Sequence, residues 1–240
     1  MEVDEEKDLP LMANADEIRV KHYMINLSFD FKSQTVHGDC ILFCQPVGDD
    51  HLTLDRNGTD QEFLMVLDAR HILTSSVKEV IHQPHEAEKI LTDFEPRKNL
   101  NSMKFWFGKP CQPISFKDEK WCLKIWKSNV KSKLDFPRVI RIIWTTSREG
   151  KSLLWRLDQS GQPAVFTPAA AVNNRSLFPC QEPPIALASW QSILKVDRGQ
   201  DYIVLCTGDA NASISDEGEH YFYTQMILPM STFAVAIGQG

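Results

Sequence analysis

The chain lacks a specific catalytic constellation. It has no HExxH helix, no GxSxG elbow and no glycine-rich phosphate loop, so the chemistries those motifs carry are not expected of it. No apolar run approaches the length of a membrane span. The first ten residues, MEVDEEKDLP, are acidic and have no apolar core, unlike a secretory leader. None of the six cysteines falls in a CxxC pair, and without a secretory signal they read as reduced thiols of a cytoplasmic protein. Asn-x-Ser/Thr sites, Asn57 and Asn211 among them, then carry no meaning as glycan acceptors. Basic residues are the minority, 26 against 32 acidic, for a net charge of −6. Nucleic acid is therefore not an expected partner, because phosphate binding needs a basic face.

What is present is a run of short strands. Tyr23, Ile25, Leu27 and Phe29 alternate with polar neighbours, a period of two that marks a half-buried strand, and 36–44 returns as its hairpin partner. Residues 63–68, 77–81, 103–107, 121–126 and 139–145 read as further strands, and 153–156 as the return of a hairpin turning at Arg148-Glu-Gly. Later strands are expected at 162–166, 190–196, 202–206, 221–228 and 231–237, with Gly208-Asp and Pro229 as turns. One stretch, opened by Pro84, looks helical and ends before Pro96. Ile140, Ile142 and Trp144 should share a buried face with the alternating residues of the first strand. This pattern predicts an all-β fold of curved antiparallel sheets with little helix. Residues 1–16 read as an acidic mobile tail and 17–240 as the domain.

The most constrained stretch is 173–190, NNRSLFPCQEPPIALASW. Pro179, Pro183 and Pro184 remove backbone donors and hold their neighbours extended. It reads as a rigid connection between two sheets. Cys180 could act as a nucleophile, but no histidine lies near it in sequence, and a buried inert thiol is the simpler reading. His82, His85 and Glu86 superficially suggest a metal cluster, but Pro84 breaks the one-face spacing a zinc helix needs. No metal or cofactor is expected on this chain. The six tryptophans sit within strands and read as core rather than as a carbohydrate platform.

Arg175-Ser-Leu-Phe-Pro-Cys-Gln-Glu-Pro-Pro resembles the arginine-to-PC(Q/F)D-x-P segment of the zinc aminopeptidases of peptidase family M1, in the leukotriene-A4 hydrolase branch. Val20-Lys-His-Tyr, Val36-His-Gly and the segment 231–238 fall in the family's order. Residues 8–14, 135–137, 158–161 and 173–175 narrow the resemblance to one member of that branch. The resemblance implies a saddle-shaped, non-catalytic N-terminal domain that packs on a downstream catalytic domain and walls a cleft for peptide substrates. The zinc, held through HExxH and a distant Glu, and the GxMEN loop would follow Gly240, so the chain reads as a fragment of the enzyme. Asn173, Asn174, Arg175, Pro179, Cys180, Gln181 and Pro183 would be the structural motif. Ala169, Ala170 and Ala171 would form the substrate-cleft loop. There the sequence departs from the family: five positions before Arg175, where the family carries Gln or Glu, stands Ala170, whose side chain can neither donate nor accept. A stand-alone β-sandwich that binds another protein through its loops is the alternative.

Overall fold

The computed structural model describes residues 10–48, 62–130, 132–168, 174–195, 203–216 and 219–240. Its frame is an eight-stranded sheet. The strands are β1 (Ile18–Asp30), β2 (Thr35–Pro46), β4 (Ile72–Val80), β5 (Cys111–Pro113), β8 (Val139–Thr146), β11 (Leu187–Lys195), β13 (Ala210–Asp216) and β14 (Glu219–Ser231), in the order β13-β14-β11-β1-β2-β8-β4-β5. A three-stranded sheet holds β3 (Glu62–Asp68), β7 (Cys122–Ser128) and β6 (Ser115–Asp118), with β7 in the middle. A four-stranded sheet runs β12-β15-β10-β9, from β12 (Val204–Cys206), β15 (Ile237–Gln239), β10 (Pro163–Phe166) and β9 (Leu154–Leu157). The pairings are antiparallel except β1 with β11, which is parallel. The fold is all-β and no barrel closes, as the alternation predicts.

The period of two assigns side chains to the two faces of the large sheet. Tyr23, Ile25 and Leu27 of β1, Cys40 and Leu42 of β2, and Ile140, Ile142 and Trp144 of β8 join the main core. Phe63, Met65, Leu67, Leu123 and Ile125 of the three-stranded sheet complete it, together with Val165, Val204 and Ile237 of the four-stranded one. The opposite face, with Met24, Ile41, Phe43 and Val139, packs under two short helices, α1 (Pro84–Thr92) and α2 (Leu100–Phe107). Trp106 meets Phe43 edge to face at 4.8 Å. At the β2–β8 register Gly38 lies opposite Trp144, and a Cβ there would stand 2.1 Å from the indole.

Several sequence expectations fail for identifiable reasons. Residues 103–107 form α2, not a strand. The Asn99 side chain caps the helix by accepting from the Asn101 amide, and Met103 and Trp106, three apart, turn one face to the sheet. β9 does not return along β8, because β8 is already flanked by β2 and β4, so β9 pairs with β10 instead. Pro229 does not end a strand. β14 passes through it opposite the irregularity at Ala188/Trp190, where a missing donor is tolerated. The stretch 231–237 breaks into a 3-10 turn, Thr232–Ala234, before β15. β13 is an edge strand whose sequence was too polar to announce it. Residues 10–16 belong to the body rather than to a tail: Ala15 is buried, and Met12, Ala13 and Asn14 are hydrogen-bonded to β3.

Candidate functional site

The segment 174–182 is a polar hub buried between the sheets. A 3-10 turn, Asn174–Ser176, opens it, and every residue from Asn174 to Glu182 is buried. Arg175 and Glu182 form an ion pair with both side chains fully buried. Nε donates to Glu182 Oε2 at 2.7 Å and Nη2 donates to the same oxygen, while the Arg175 amide donates to Oε1 at 3.0 Å. Nη1 donates to the Pro10 carbonyl at 2.5 Å. Burying charge is tolerable only when its hydrogen-bonding capacity is met, and here Glu182 within the hub and the Pro10 carbonyl outside it meet that of Arg175.

The other polar side chains of the hub reach outward to distant elements. Asp68, at the end of β3, accepts the Glu182 amide at 3.0 Å, and its backbone pairs with Cys180 in both directions at 2.8 and 3.1 Å. Gln181 acts as a missing piece of backbone beside β1, accepting from the Val20 amide at 2.9 Å and donating to the Ile18 carbonyl at 2.8 Å. Asn174 Nδ2 donates to the carbonyls of Thr232 and Val235. The Leu177 carbonyl accepts from the Trp144 indole at 2.9 Å. Phe178 packs edge-on to Tyr23 at 5.7 Å. Pro179 is buried, and the Pro183 carbonyl accepts from Ala186 in a turn that leads towards β11. One nine-residue stretch thereby joins β1, β3, β8 and the 232–235 turn.

Cys180 sits inside this hub with no exposed surface, and burial first, then the Glu182 and Asp68 charges, push its thiol well above the ordinary range. A thiol so placed is neither accessible nor ionised, so it is not a nucleophile. Five of the six cysteines are buried, Cys111 being the partial exception, and all six are free.

A second buried network fastens the helical layer. His22 Nδ1 lies 2.8 Å from Ser189 Oγ, and Nε2 lies 3.2 Å from Gln191 Oε1. Arg97 donates to the Ile90 and Leu91 carbonyls at 2.6 Å, holding the C-terminal end of α1. Burial, and then the Arg97 charge, lower His22 to about 3, so the imidazole is neutral. Gln191 also donates to Tyr223 Oη at 2.7 Å. Sequence reasoning passed over His22, Asp68, Arg97 and Gln191. Of these only Asp68 gives a local signal, a carboxylate closing an otherwise apolar strand.

Among the described residues no three His, Cys, Asp or Glu side chains are placed to hold a metal. Glu86 is occupied by the Gln83 amide at 2.7 Å and by Lys109, while His82 lies on the Trp106 ring. The donors present therefore do not fit a zinc site. No helix of the described residues is long and apolar enough to cross a membrane.

Ala169, Ala170, Ala171 and Asn173 lie outside the described residues, but the residues flanking them in sequence are fixed. The Thr167 amide donates to the Ile237 carbonyl at 2.9 Å, and Thr167 Oγ1 accepts from the Ile237 amide at 3.0 Å. On the other side Asn174 is tied to the 232–235 turn. Both flanks are tied to the last ten residues of the chain.

No family model matches the chain. Human aminopeptidase O is 27% identical over 336 aligned positions that cover 96% of this chain, and the mouse protein matches equally. The chain spans 41% of the length of these relatives. In fold it matches native leukotriene A4 hydrolase from Saccharomyces cerevisiae, with a TM-score of 0.64 at 16% identity, over all of this chain and 32% of that one. It also matches an M1 zinc metallopeptidase from Deinococcus radiodurans, with a TM-score of 0.60 at 13% identity, over 95% of this chain and 43% of that one. Sequence and structure agree on one relationship: the chain is similar to aminopeptidase O and has the fold of the N-terminal domain of the M1 peptidases.

Proposed function

We propose that this chain is the non-catalytic wall of the substrate cleft in a zinc aminopeptidase resembling aminopeptidase O. The observation that carries the reading is the anchored loop. Thr167 and Asn174, which flank residues 169–173 in sequence, are both tied to the segment 232–237, and the hub beside Asn174 is buried and hydrogen-bonded. A loop on a rigid scaffold is where binding residues are usually placed. In this reading a catalytic domain beyond Gly240 is the partner, holds the zinc and cleaves N-terminal residues from peptides in the cytoplasm. In this reading the chain contributes shape rather than metal ligands or a nucleophile. Ala170 would stand beside the substrate's N-terminal residue, where a Gln or Glu would add a hydrogen bond of about 0.5–1.5 kcal/mol if neutral or about 1.5–3 if charged.

Two measurements test it. Purified as it stands, the chain should retain no stoichiometric zinc and hydrolyse no aminoacyl substrate; zinc with chelator-sensitive activity would overturn the reading. In a protein that includes the catalytic domain, Ala170→Gln should raise kcat/KM for simple aminoacyl substrates. An unchanged ratio in a folded enzyme would reduce the loop to scaffolding.

A further inference from the structure

β3 is an edge strand, paired on one side with β7. An edge strand presents unpaired amides and carbonyls and invites another chain. Here the open side is taken at Asp68 by the Cys180 backbone and before it by residues 10–14, and these not as a strand. The Asn14 side chain alone does the pairing: Nδ2 donates to the Leu64 carbonyl at 2.8 Å, and Oδ1 accepts from the Val66 amide at 2.8 Å. Two residues further on, the Asp68 carboxylate accepts the successive amides of Met12 and Ala13 at 2.7 and 3.3 Å. Arg175 then takes the Pro10 carbonyl. Leu11 and Met12 point outward, 50% and 40% exposed. The contacts are therefore to backbone groups and to one amide side chain, and the apolar side chains of the segment are not what is recognised.

The receptor side of these contacts is built independently of the segment. Asp68 is fixed by the Glu182 amide and by Cys180, and Arg175 by Glu182. Two fully buried charged groups thus keep hydrogen-bonding positions aimed at an extended chain.

We infer that the groove along the open edge of β3 is a binding site for an extended Pro-x-x-x-Asn peptide segment, filled in cis by residues 10–14. The requirements follow from the contacts: a carbonyl for Arg175 Nη1, two consecutive amides for Asp68 Oδ1, and a carboxamide four residues after the carbonyl. A segment of the same chemistry presented in trans competes with the resident one. Its apparent affinity is reduced by the small fraction of time the resident segment is detached.

The test uses the full chain and a fluorescent synthetic peptide with the sequence of residues 8–16. Asn14→Ala removes the two side-chain contacts to Leu64 and Val66 and should raise the peptide's apparent affinity by about tenfold over the wild type. Asn14→Asp, which keeps the acceptor for Val66 and loses the donor to Leu64, should fall between them. A peptide carrying Ala in place of its own Asn should bind neither protein. Hydrogen exchange on the wild type gives an independent readout. The amides of Met12, Ala13 and Val66 should exchange together, and faster than the amides of β3 that face β7. Equal affinity for wild type and Asn14→Ala, or exchange of Met12 and Ala13 only with global unfolding, would overturn the inference. The outcome does not depend on the aminopeptidase reading, since neither measurement needs a catalytic domain.

Discussion

Replacing Arg175 by methionine keeps most of the stem's volume and removes the guanidinium. Glu182 then loses both side-chain donors of its ion pair, and the Pro10 carbonyl loses its partner. The carboxylate has no exposed surface through which water could take over. Breaking a buried pair from one side costs about 3–5 kcal/mol, because the surviving charge stays desolvated. That is a large share of the roughly 5–15 kcal/mol available to a folded domain. With a urea m-value of about 2 kcal/mol/M, a loss near 4 kcal/mol lowers the midpoint by about 2 M. The assay is urea unfolding followed by circular dichroism, on Arg175→Met, Glu182→Gln and the double variant. Glutamine still accepts the amide of residue 175 but carries no charge, so the double variant should recover about half of the loss, a coupling of roughly 2 kcal/mol between the sites. A single-variant cost under about 1 kcal/mol, or strict additivity in the double, would mean that the pair is not desolvated and that the hub is not held as described.

Other expectations follow from other parts of the molecule. Gly38→Ala drives a methyl into the Trp144 indole and should cost about 1–3 kcal/mol in the same assay; a neutral result would mean the indole is free to move. His22 is neutral in the fold, with its pKa lowered from 6.5 to about 3. The unfolded chain therefore takes up a proton that the folded one refuses between those values. The stability is fully present above pH 6.5 and is lost as pH falls towards 3, by up to about 1.4 kcal/mol per unit. His22→Gln should flatten that slope, and an unchanged slope would assign it to other groups. Under native conditions iodoacetamide should label Cys111 first and leave Cys180 untouched until unfolding, as read by mass spectrometry. Ile185, Leu187, Leu228 and Phe233 are 43–62% exposed, so the chain should bind a hydrophobic dye, and Leu228→Lys with Phe233→Lys should reduce that binding without loss of stability. Leu177 and Phe178, a few residues upstream of Ile185, lie in the core and contribute nothing to that surface.

The sequence disclosed the fold where neighbours in the chain decide it. Alternation in β1 and β8 named both faces of the large sheet, and Pro84 marked the start of α1. It failed where partners are distant or already taken. Nothing local says that β8 has no free edge for β9, while at α2 the aromatic run outweighs the local cap at Asn99. The same limit applies to the hub. Its prolines and paired amides mark 173–190 as constrained, yet Gln181 bonds to residues more than 150 positions away and Glu182 to one 114 positions away. Those contacts have no local sequence signature, because a glutamine or glutamate near a proline looks the same whether its partner is water or a distant strand.

The parallel seam between β1 and β11 carries a consequence for how the protein is made. Tyr23 lies opposite Trp190 in that register, so the first strand to leave the ribosome waits for most of the chain before its second edge is covered. Until then β1 and β2 form a hairpin with one bare flank, and β8 and β4 can add only on the far side. Non-local pairings of this kind close slowly, and the waiting edge is exposed to other nascent chains. Shortened products that end before β11 should therefore be recovered as aggregates or as chaperone clients, while the β11–β14 unit arrives last and shuts the sheet.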